Sequence, residues 1–158
     1  MRLYLDVDGT LLRRSGHARL RGDLAPADHL PEFLEWATSH FDCVWLTSRD
    51  RDGGAAAIRA AFRQAIGPGD EADRVDRLLA RVAPSNWHRC KADAIDFAAP
   101  FLWLDDAPEE DSLDLLERHA ATDRWVPVAV DRNPGDLRRV MEMLERRRAG
   151  WAAPVVQG

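Results

Sequence analysis

The chain has 158 residues, of which 46% are hydrophobic and 31% are charged. This is the composition of one globular domain, and it excludes disordered, collagen-like and coiled-coil classes. The net charge of −5 argues against nucleic-acid binding through overall charge, so a basic surface must be local. Two cysteines form no disulfide framework, and no apolar run suits a signal sequence or a membrane span. We therefore expect a cytoplasmic protein that does not bind membranes.

Short apolar runs alternate with helical patterns along the chain. The predicted elements are, in chain order, a strand at 2–7, a basic flap loop at 13–27, a helix at 27–40, a strand at 42–47, a helix at 53–66, an uncertain element at 71–82, a short helix at 91–98, a strand at 101–104, a helix at 108–120, a strand at 125–130 and a helix at 134–148. The uncertain element fits a helix or a short strand near 75–79. We expect one domain over residues 1–148 and a loosely held tail at 149–158.

Two of these helices carry clear boundary signals. The helix at 27–40 has Asp28 as a possible cap and Pro31 in its first turn. Its apolar residues share one face: Leu30, Phe33, Leu34 and Ala37. Gly67 is placed to end the helix at 53–66. These signals predict regular helices between the strands.

Strands that alternate with helices and are apolar throughout indicate a parallel sheet. The predicted fold class is α/β, a three-layer Rossmann-like sheet with helices on both faces. In such sheets ligands bind outside the carboxyl ends of the strands. The residues directly after each apolar run are therefore the candidates for chemistry.

Acidic and hydroxyl side chains follow three of the predicted strands. Asp6 and Asp8 end the first, Thr47 the second, and Asp105-Asp106 a later one. Each group alone has an ordinary interpretation as a turn or a helix cap. Together at one sheet edge, four carboxylates would repel one another unless a cation lay among them, and oxygen ligands suit Mg²⁺.

Lys91 stands out because it is the only lysine in the chain. One interpretation is a coding bias towards arginine, which leaves Lys91 without a special role. The other interpretation is a site that needs a compact ammonium rather than a planar guanidinium. Its position before the later acidic strand end places it on the approach to the same edge.

The run Asp6-Val7-Asp8-Gly9-Thr10-Leu11, followed by Thr47, Lys91 and Asp105-Asp106, resembles the haloacid dehalogenase-like (HAD) superfamily of phosphohydrolases. The likeness covers the chain from its first strand to about residue 111. The chain looks most like small members without a cap domain, and is similar to HAD domains of RNA-repair proteins and to polynucleotide phosphatases.

The resemblance implies a Mg²⁺-dependent phosphatase that forms an aspartyl-phosphate. Asp6 would be the nucleophile and Asp8 the acid and base, which favours a phosphatase over a dehalogenase or a transport ATPase. Thr47 and Lys91 would bind the phosphoryl oxygens. Mg²⁺ would be held by the Asp6 carboxylate, the Asp8 carbonyl and Asp106, with Asp105 or Asp111 in the outer shell. The remaining substrate-binding candidates are Gly9, Thr10, Ser48 and Arg49.

The substrate is less defined than the chemistry. By analogy with larger HAD enzymes, neither gap between motifs fits a full cap, and an open site favours a macromolecular phosphorylated substrate. The flap at 13–27 is basic through Arg13, Arg14, His17, Arg19 and Arg21. It is either a solvated loop or a guide for nucleic-acid ends. Trp87 is either a base-stacking residue or a core residue.

Three alternatives stay open to different degrees. The substrate could be a small nucleotide or sugar phosphate. The chain could be a catalytically silent binding module of the same fold. A receiver-type signalling domain uses similar residues, but its acidic pair comes first, whereas Asp105-Asp106 follows Lys91 here. That order disfavours the receiver.

Overall fold

A computed structural model describes residues 1–14 and 24–152 of the chain. Its elements are, in chain order, β1 (Arg2–Leu5), β2 (Leu12–Arg14), β3 (Leu24–Pro26), α1 (Leu30–His40), β4 (Asp42–Trp45), α2 (Ala56–Ile66), α3 (Asp70–Leu79), β5 (Phe101–Asp105), α4 (Glu110–Arg118), β6 (Trp125–Pro127) and α5 (Asp136–Ala152). Short 3-10 turns lie at Ser48–Asp50, Lys91–Ala94 and Thr122–Arg124. None of these helices has the length and apolar character needed to cross a membrane.

The centre of the fold is a parallel sheet of four strands in the order β4-β1-β5-β6. The first strand therefore lies inside the sheet, with the second parallel strand on one side and the third on the other. This reversal is a topological switch point between β1 and β5, and in such sheets ligands bind beyond the carboxyl ends of the strands at that point. The α/β class and the parallel sheet are confirmed.

Alternate residues of the central strands face two different hydrophobic clusters. Leu3 and Leu5 of β1 join the cluster that includes apolar residues of α1, α2, α3 and α5. Tyr4, between them, joins Trp103 of β5 and Leu116 of α4 in the second cluster. The period of two along the strand explains this division, because successive side chains point to opposite faces. Both faces of the sheet are therefore covered, which matches the apolar character of the strands.

Most predicted helices exist, with ends that differ by a few residues. α1 buries Leu30, Phe33, Leu34 and Ala37 as predicted, and Gly67, at φ 82°, follows α2. The prediction that Asp28 caps α1 is wrong. The N-cap is His29, in the left-handed region at φ 64°, and no side chain caps the helix.

The uncertain element at 71–82 is a helix, so the strand alternative is wrong. In α3, Ala72, Val75, Leu78 and Leu79 are buried on one face, which is the helical period. Only Ala83 beyond it bridges to Val44, as an isolated parallel pair beside β4. The short helix at 91–98 is reduced to the 3-10 turn Lys91–Ala94.

Two segments predicted as irregular are partly regular. The ends of the flap at 13–27 pair as an antiparallel hairpin, with Arg13 opposite Ala25. The predicted loose tail is wrong for its first residues, because α5 continues to Ala152. His17, Arg19, Arg21 and residues 153–158 lie outside the described residues.

Candidate active site

The predicted strand-end residues meet at the switch point of the sheet. Asp6 directly follows β1, and its amide donates to the Leu104 carbonyl at 3.0 Å. Asp105 is the last residue of β5, the neighbouring strand, and Asp106 follows it. Thr47 lies beyond β4 on the other side of β1. Parallel pairing alone thus brings together residues that are up to 100 positions apart in the chain.

The chain turns sharply after Asp6. The carbonyl of Val7 accepts from the amides of Thr10, Leu11 and Leu12 at 2.9–3.3 Å, which closes a single tight turn. Gly9 within it has φ 77°, in the left-handed region that favours glycine. A Cβ on Gly9 would also lie 2.5 Å from Cγ of Asp106. The glycine therefore allows the turn to approach the second acidic segment closely.

Lys91 joins the two most buried carboxylates of the site. Its Nζ donates to Oδ1 of Asp6 at 3.0 Å and to Oδ2 of Asp105 at 2.7 Å. Asp6 also accepts from the Thr10 hydroxyl at 3.2 Å, through Oδ2. All four residues are at most 6% exposed. An ammonium has three donors, so one donor of Lys91 is left for another acceptor.

The acid–base properties of this group follow from burial and crowding. Burial, and after it the neighbouring Asp105, raise the pKa of Asp6 to about 7 against the opposing effect of Lys91. Burial also raises the pKa of Asp105, again opposed by Lys91. Burial lowers the pKa of Lys91, but the two carboxylates outweigh it and the net shift is upward. The ammonium therefore stays charged, and its single charge is shared by two acids.

Asp106 completes an acidic cluster with Asp6 and Asp105. One oxygen from each carboxyl group lies within 4.8 Å of the others. Burial raises the pKa of Asp106, with Lys91 and Arg14 acting in the opposite direction. Three carboxyl groups against one ammonium leave two uncompensated negative charges when all are ionised. An all-oxygen donor set with that residual charge fits a divalent cation such as Mg²⁺. Among the described residues, the cluster does not include Asp111, which is exposed on the first turn of α4.

The Asp8 side chain forms an ion pair with Arg49. Its two carboxylate oxygens accept from Nε and Nη2 of Arg49, at 2.7 and 2.6 Å. Both side chains are about one-quarter exposed, at 26% for Asp8 and 28% for Arg49. Arg49 was predicted from the sequence to bind substrate. Its pairing with Asp8, 41 residues away, could not be predicted because no sequence pattern links the two positions. Three of the five guanidinium donors remain for other acceptors.

Thr47 and Trp87 contact each other on the β4 side of the site. Thr47 is buried, and its hydroxyl accepts from the Arg49 amide at 3.3 Å, so it caps the 3-10 turn that carries Arg49. Ser48 is exposed on the same turn. Trp87 is buried, and its Nε1 donates to the Thr47 carbonyl at 3.2 Å. The guanidinium of Arg51 covers its ring at 4.6 Å. Trp87 is thus a core residue, and its stacking on a base is disfavoured.

Two supporting contacts escape sequence reasoning. Trp125 of β6 donates from Nε1 to the Asp105 carbonyl at 3.0 Å, which holds the end of β5. Ser112 of α4 accepts from the amide of Ala92, the residue after Lys91, at 3.1 Å. Neither residue lies in a recognisable motif. Only their hydrogen bonds to the backbone of the site identify them.

The comparisons with known proteins do not assign the chain to a family. No protein-family model matches it. A search of curated proteins likewise gave no match. The function must therefore be argued from the site itself.

Proposed function

We propose that the chain is a Mg²⁺-dependent phosphatase of the HAD type, which hydrolyses phosphomonoesters through an aspartyl-phosphate. The observation that carries this proposal is the group formed by Asp6, Lys91, Asp105 and Asp106 at the switch point of a parallel sheet. A structural ion pair does not need three acids around one ammonium. Such an excess of carboxylate suits a site that binds a cation and an anion together.

Asp6 is the nucleophile in this proposal. One oxygen accepts from Lys91 and the other from Thr10, so these two hydrogen bonds restrict rotation of the carboxylate. One of these oxygens attacks phosphorus in line, a bond from Asp6 to phosphorus forms, and the ester bond to the leaving oxygen breaks. Water then hydrolyses the acyl phosphate and returns Asp6. Two easier displacements replace one difficult one.

Asp8 is the proton donor and acceptor. It protonates the leaving oxygen in the first step and takes a proton from the attacking water in the second, a contribution of about 10²–10⁴-fold. In the resting arrangement both of its oxygens accept from Arg49. At least one oxygen must leave the guanidinium for Asp8 to act. A phosphoryl dianion beside Arg49 offers the competing charge for that exchange.

Binding of the phosphoryl group falls to Lys91, Thr47 and Arg49. Counting only bonds within residues 1–14 and 24–152, Lys91 keeps one donor for the substrate and Arg49 keeps three. The residues that would hold Mg²⁺ are Asp6, Asp106 and the Asp8 carbonyl, with Asp105 behind them. When bound, the ion would shield the negative charge of substrate and nucleophile from each other. In phosphoryl transfer such positioning and charge stabilisation provide most of the catalysis.

The substrate is proposed to be large, with nucleic-acid ends as the favoured class. In the described residues, α2 and α3 pack their apolar faces into the core through Ile58, Phe62 and Val75, so they do not form a cap over the site. Arg14 acts electrostatically on Asp106, and Arg49 binds Asp8 at the same edge of the sheet. Guanidinium groups next to an uncapped site suit a phosphorylated polyanion.

The test is phosphate release from para-nitrophenyl phosphate, from mononucleotides and from a 3′-phosphorylated oligonucleotide. Reactions are run with Mg²⁺ and with a chelator, using the wild type and Asp6→Asn. We expect release that needs Mg²⁺, is lost in Asp6→Asn and is fastest with the oligonucleotide. Faster release from mononucleotides would reject the large substrate and keep the phosphatase. No release from any substrate, with Mg²⁺ still bound, would favour the binding module.

A further inference from the structure

Ser112 occupies a position that links the candidate site to α4. Its side chain is fully buried. Its hydroxyl accepts from the Ala92 amide at 3.1 Å and donates to Oε2 of Glu109 at 3.0 Å. Since a hydroxyl has one proton, donation to Glu109 leaves only lone pairs to face Ala92. Glu109 thereby sets the orientation of the hydroxyl.

The turn that carries Lys91 needs such support. It consists of four residues in a 3-10 conformation, which has little stability of its own. Within the segment, the Asp93 carboxylate accepts from the amides of Arg89 and Cys90 at 2.8 and 3.3 Å. These local bonds shape the turn, but they do not attach it to its neighbours. Beyond the turn, the Asp96 amide donates to the Tyr4 hydroxyl of β1 at 3.1 Å. The bond from Ala92 to Ser112 attaches the turn itself to α4, next to Lys91.

The acceptor of that bond, Ser112, lies on α4, which follows the segment that bears Asp105 and Asp106. α4 begins at Glu110, shortly after Asp105 and Asp106. Ser112 therefore ties the segment bearing the ammonium to the segment bearing two carboxylates. The hydrogen bond of 2.7 Å from Nζ of Lys91 to Asp105 depends on the relative placement of these segments.

We propose that Ser112, oriented by Glu109, is a positioning residue that fixes Lys91 between Asp6 and Asp105. The effect on turnover rests on the proposed function, whereas the effect on Lys91 itself does not. Loss of the bond frees the turn, and the ammonium then spends time away from the place where a phosphoryl oxygen needs it. Misplacement by about 1 Å at a catalytic group can reduce the rate about 10²-fold.

The primary experiment uses the fact that Lys91 is the only lysine. Protein labelled with ¹⁵N at the lysine side chain gives one ammonium signal by NMR. The variants are Ser112→Ala, Glu109→Ala and the conservative Glu109→Gln, whose amide oxygen still accepts from Ser112. The control is Thr38→Ala on α1, which removes a hydroxyl bond of 2.8 Å to the Leu34 carbonyl on the other face of the sheet.

We expect the Lys91 signal to shift or broaden in Ser112→Ala and Glu109→Ala, and to stay at its wild-type position in Glu109→Gln and Thr38→Ala. Glu109 is exposed, so its variants fold even where Ser112→Ala does not. An unchanged Lys91 signal in both Ser112→Ala and Glu109→Ala overturns the proposal. So does an equal change in Thr38→Ala, because the effect is then not specific to the link.

Kinetics with para-nitrophenyl phosphate and Mg²⁺ give the second readout. We expect Ser112→Ala and Glu109→Ala to lower kcat about tenfold or more while KM changes little, with most of the rate restored in Glu109→Gln. A merely structural Ser112 would lower the melting temperature and leave kcat per folded molecule unchanged. If the wild type shows no turnover, the phosphatase proposal fails, and the NMR result still decides the position of Lys91.

Discussion

Two aspartates of this protein are almost equally shielded from solvent, but their pKa values shift in opposite directions. Asp6 is 3% exposed and Asp136 is 4% exposed. Burial and the neighbouring Asp105 raise the pKa of Asp6 to about 7. Hydrogen bonds from Arg139 hold the pKa of Asp136 below its ordinary value, against the effect of burial. Low solvent exposure alone therefore does not decide the direction in which the pKa of an acid shifts.

The difference lies in how each carboxylate is compensated. Asp136 accepts two bonds from Arg139, at 2.7 and 2.9 Å, and a third from the Ala129 amide at 3.0 Å. Asp6 shares the ammonium of Lys91 with Asp105. The first arrangement is balanced and stabilises the start of α5. The second leaves negative charge uncompensated, which is useful only if a ligand supplies the missing charge.

The largest expected effect separates the two aspartates by activity. Replacing Asp6 with Asn keeps the shape and removes the nucleophile, so phosphate release should fall at least about 10³-fold. Asp136→Asn should leave kcat near the wild-type value, since Asp136 touches no residue of the site. Phosphate release by both variants, with folding checked by circular dichroism, makes the comparison. Equal losses in the two variants would mean that Asp6 is only structural.

The glycines near the two aspartates should differ in the same way. Gly9→Ala forces a Cβ against Asp106 in a turn with positive φ, whereas Gly135→Ala meets only Oδ1 of Asn133, at 3.8 Å. Strain at positive φ costs about 1–3 kcal/mol, and displacement of Asp106 should reduce turnover about 10²-fold. Gly135→Ala should be nearly neutral. Mg²⁺ titration by calorimetry checks the result, and unaltered Mg²⁺ affinity in Gly9→Ala would contradict it.

Stability should show the reverse ranking. Asp136→Ala removes the acceptor of the Ala129 amide and of Arg139, and leaving such buried groups unsatisfied costs about 1–3 kcal/mol. Because the Arg139 side chain is 49% exposed, we expect the lower part of that range. Urea unfolding measures the change in free energy. A larger loss of stability in Asp6→Asn than in Asp136→Ala would reverse the comparison.

The smallest effect is the opposite pH dependence of the two aspartates. Asp6 binds its proton more tightly folded than unfolded, so its contribution to stability falls as pH rises from about 4 towards about 7. The depressed pKa of Asp136 gives a contribution that is present above pH 4 and lost on further acidification. Melting temperatures are measured against pH without divalent cations. Asp6→Asn should reduce the fall in melting temperature between about pH 4 and pH 7, and Asp136→Asn should reduce the fall below about pH 4.

Addition of Mg²⁺ sharpens this last measurement. Mg²⁺ should raise the melting temperature of the wild type most near pH 8, where Asp6 is ionised, and raise that of Asp6→Asn much less. A Mg²⁺ effect independent of pH, or equal in the two proteins, would place the ion elsewhere.

The fold class and the members of the acidic cluster could be predicted from the sequence because both follow from local patterns. Apolar runs predict strands, and parallel pairing then brings the residues after them to one edge. For this reason the sequence alone predicted that Asp6, Asp105 and Asp106 lie together. The ends of the elements and the choice between helix and strand at 75–79 could not be predicted as well. A short apolar run fits both the helical and the strand period, and the packing of α3 against the core decides between them.

Partner choice was decided only in three dimensions. Nothing in the chain near Asp8 indicates Arg49, 41 residues away, and nothing near Lys91 indicates Ser112. The sequence by itself determined which charged groups reach the carboxyl edge of the sheet. The tertiary structure determined which of them neutralise one another and which stay uncompensated, because that depends on distances of about 3 Å, at which Coulomb energies and hydrogen bonds change steeply.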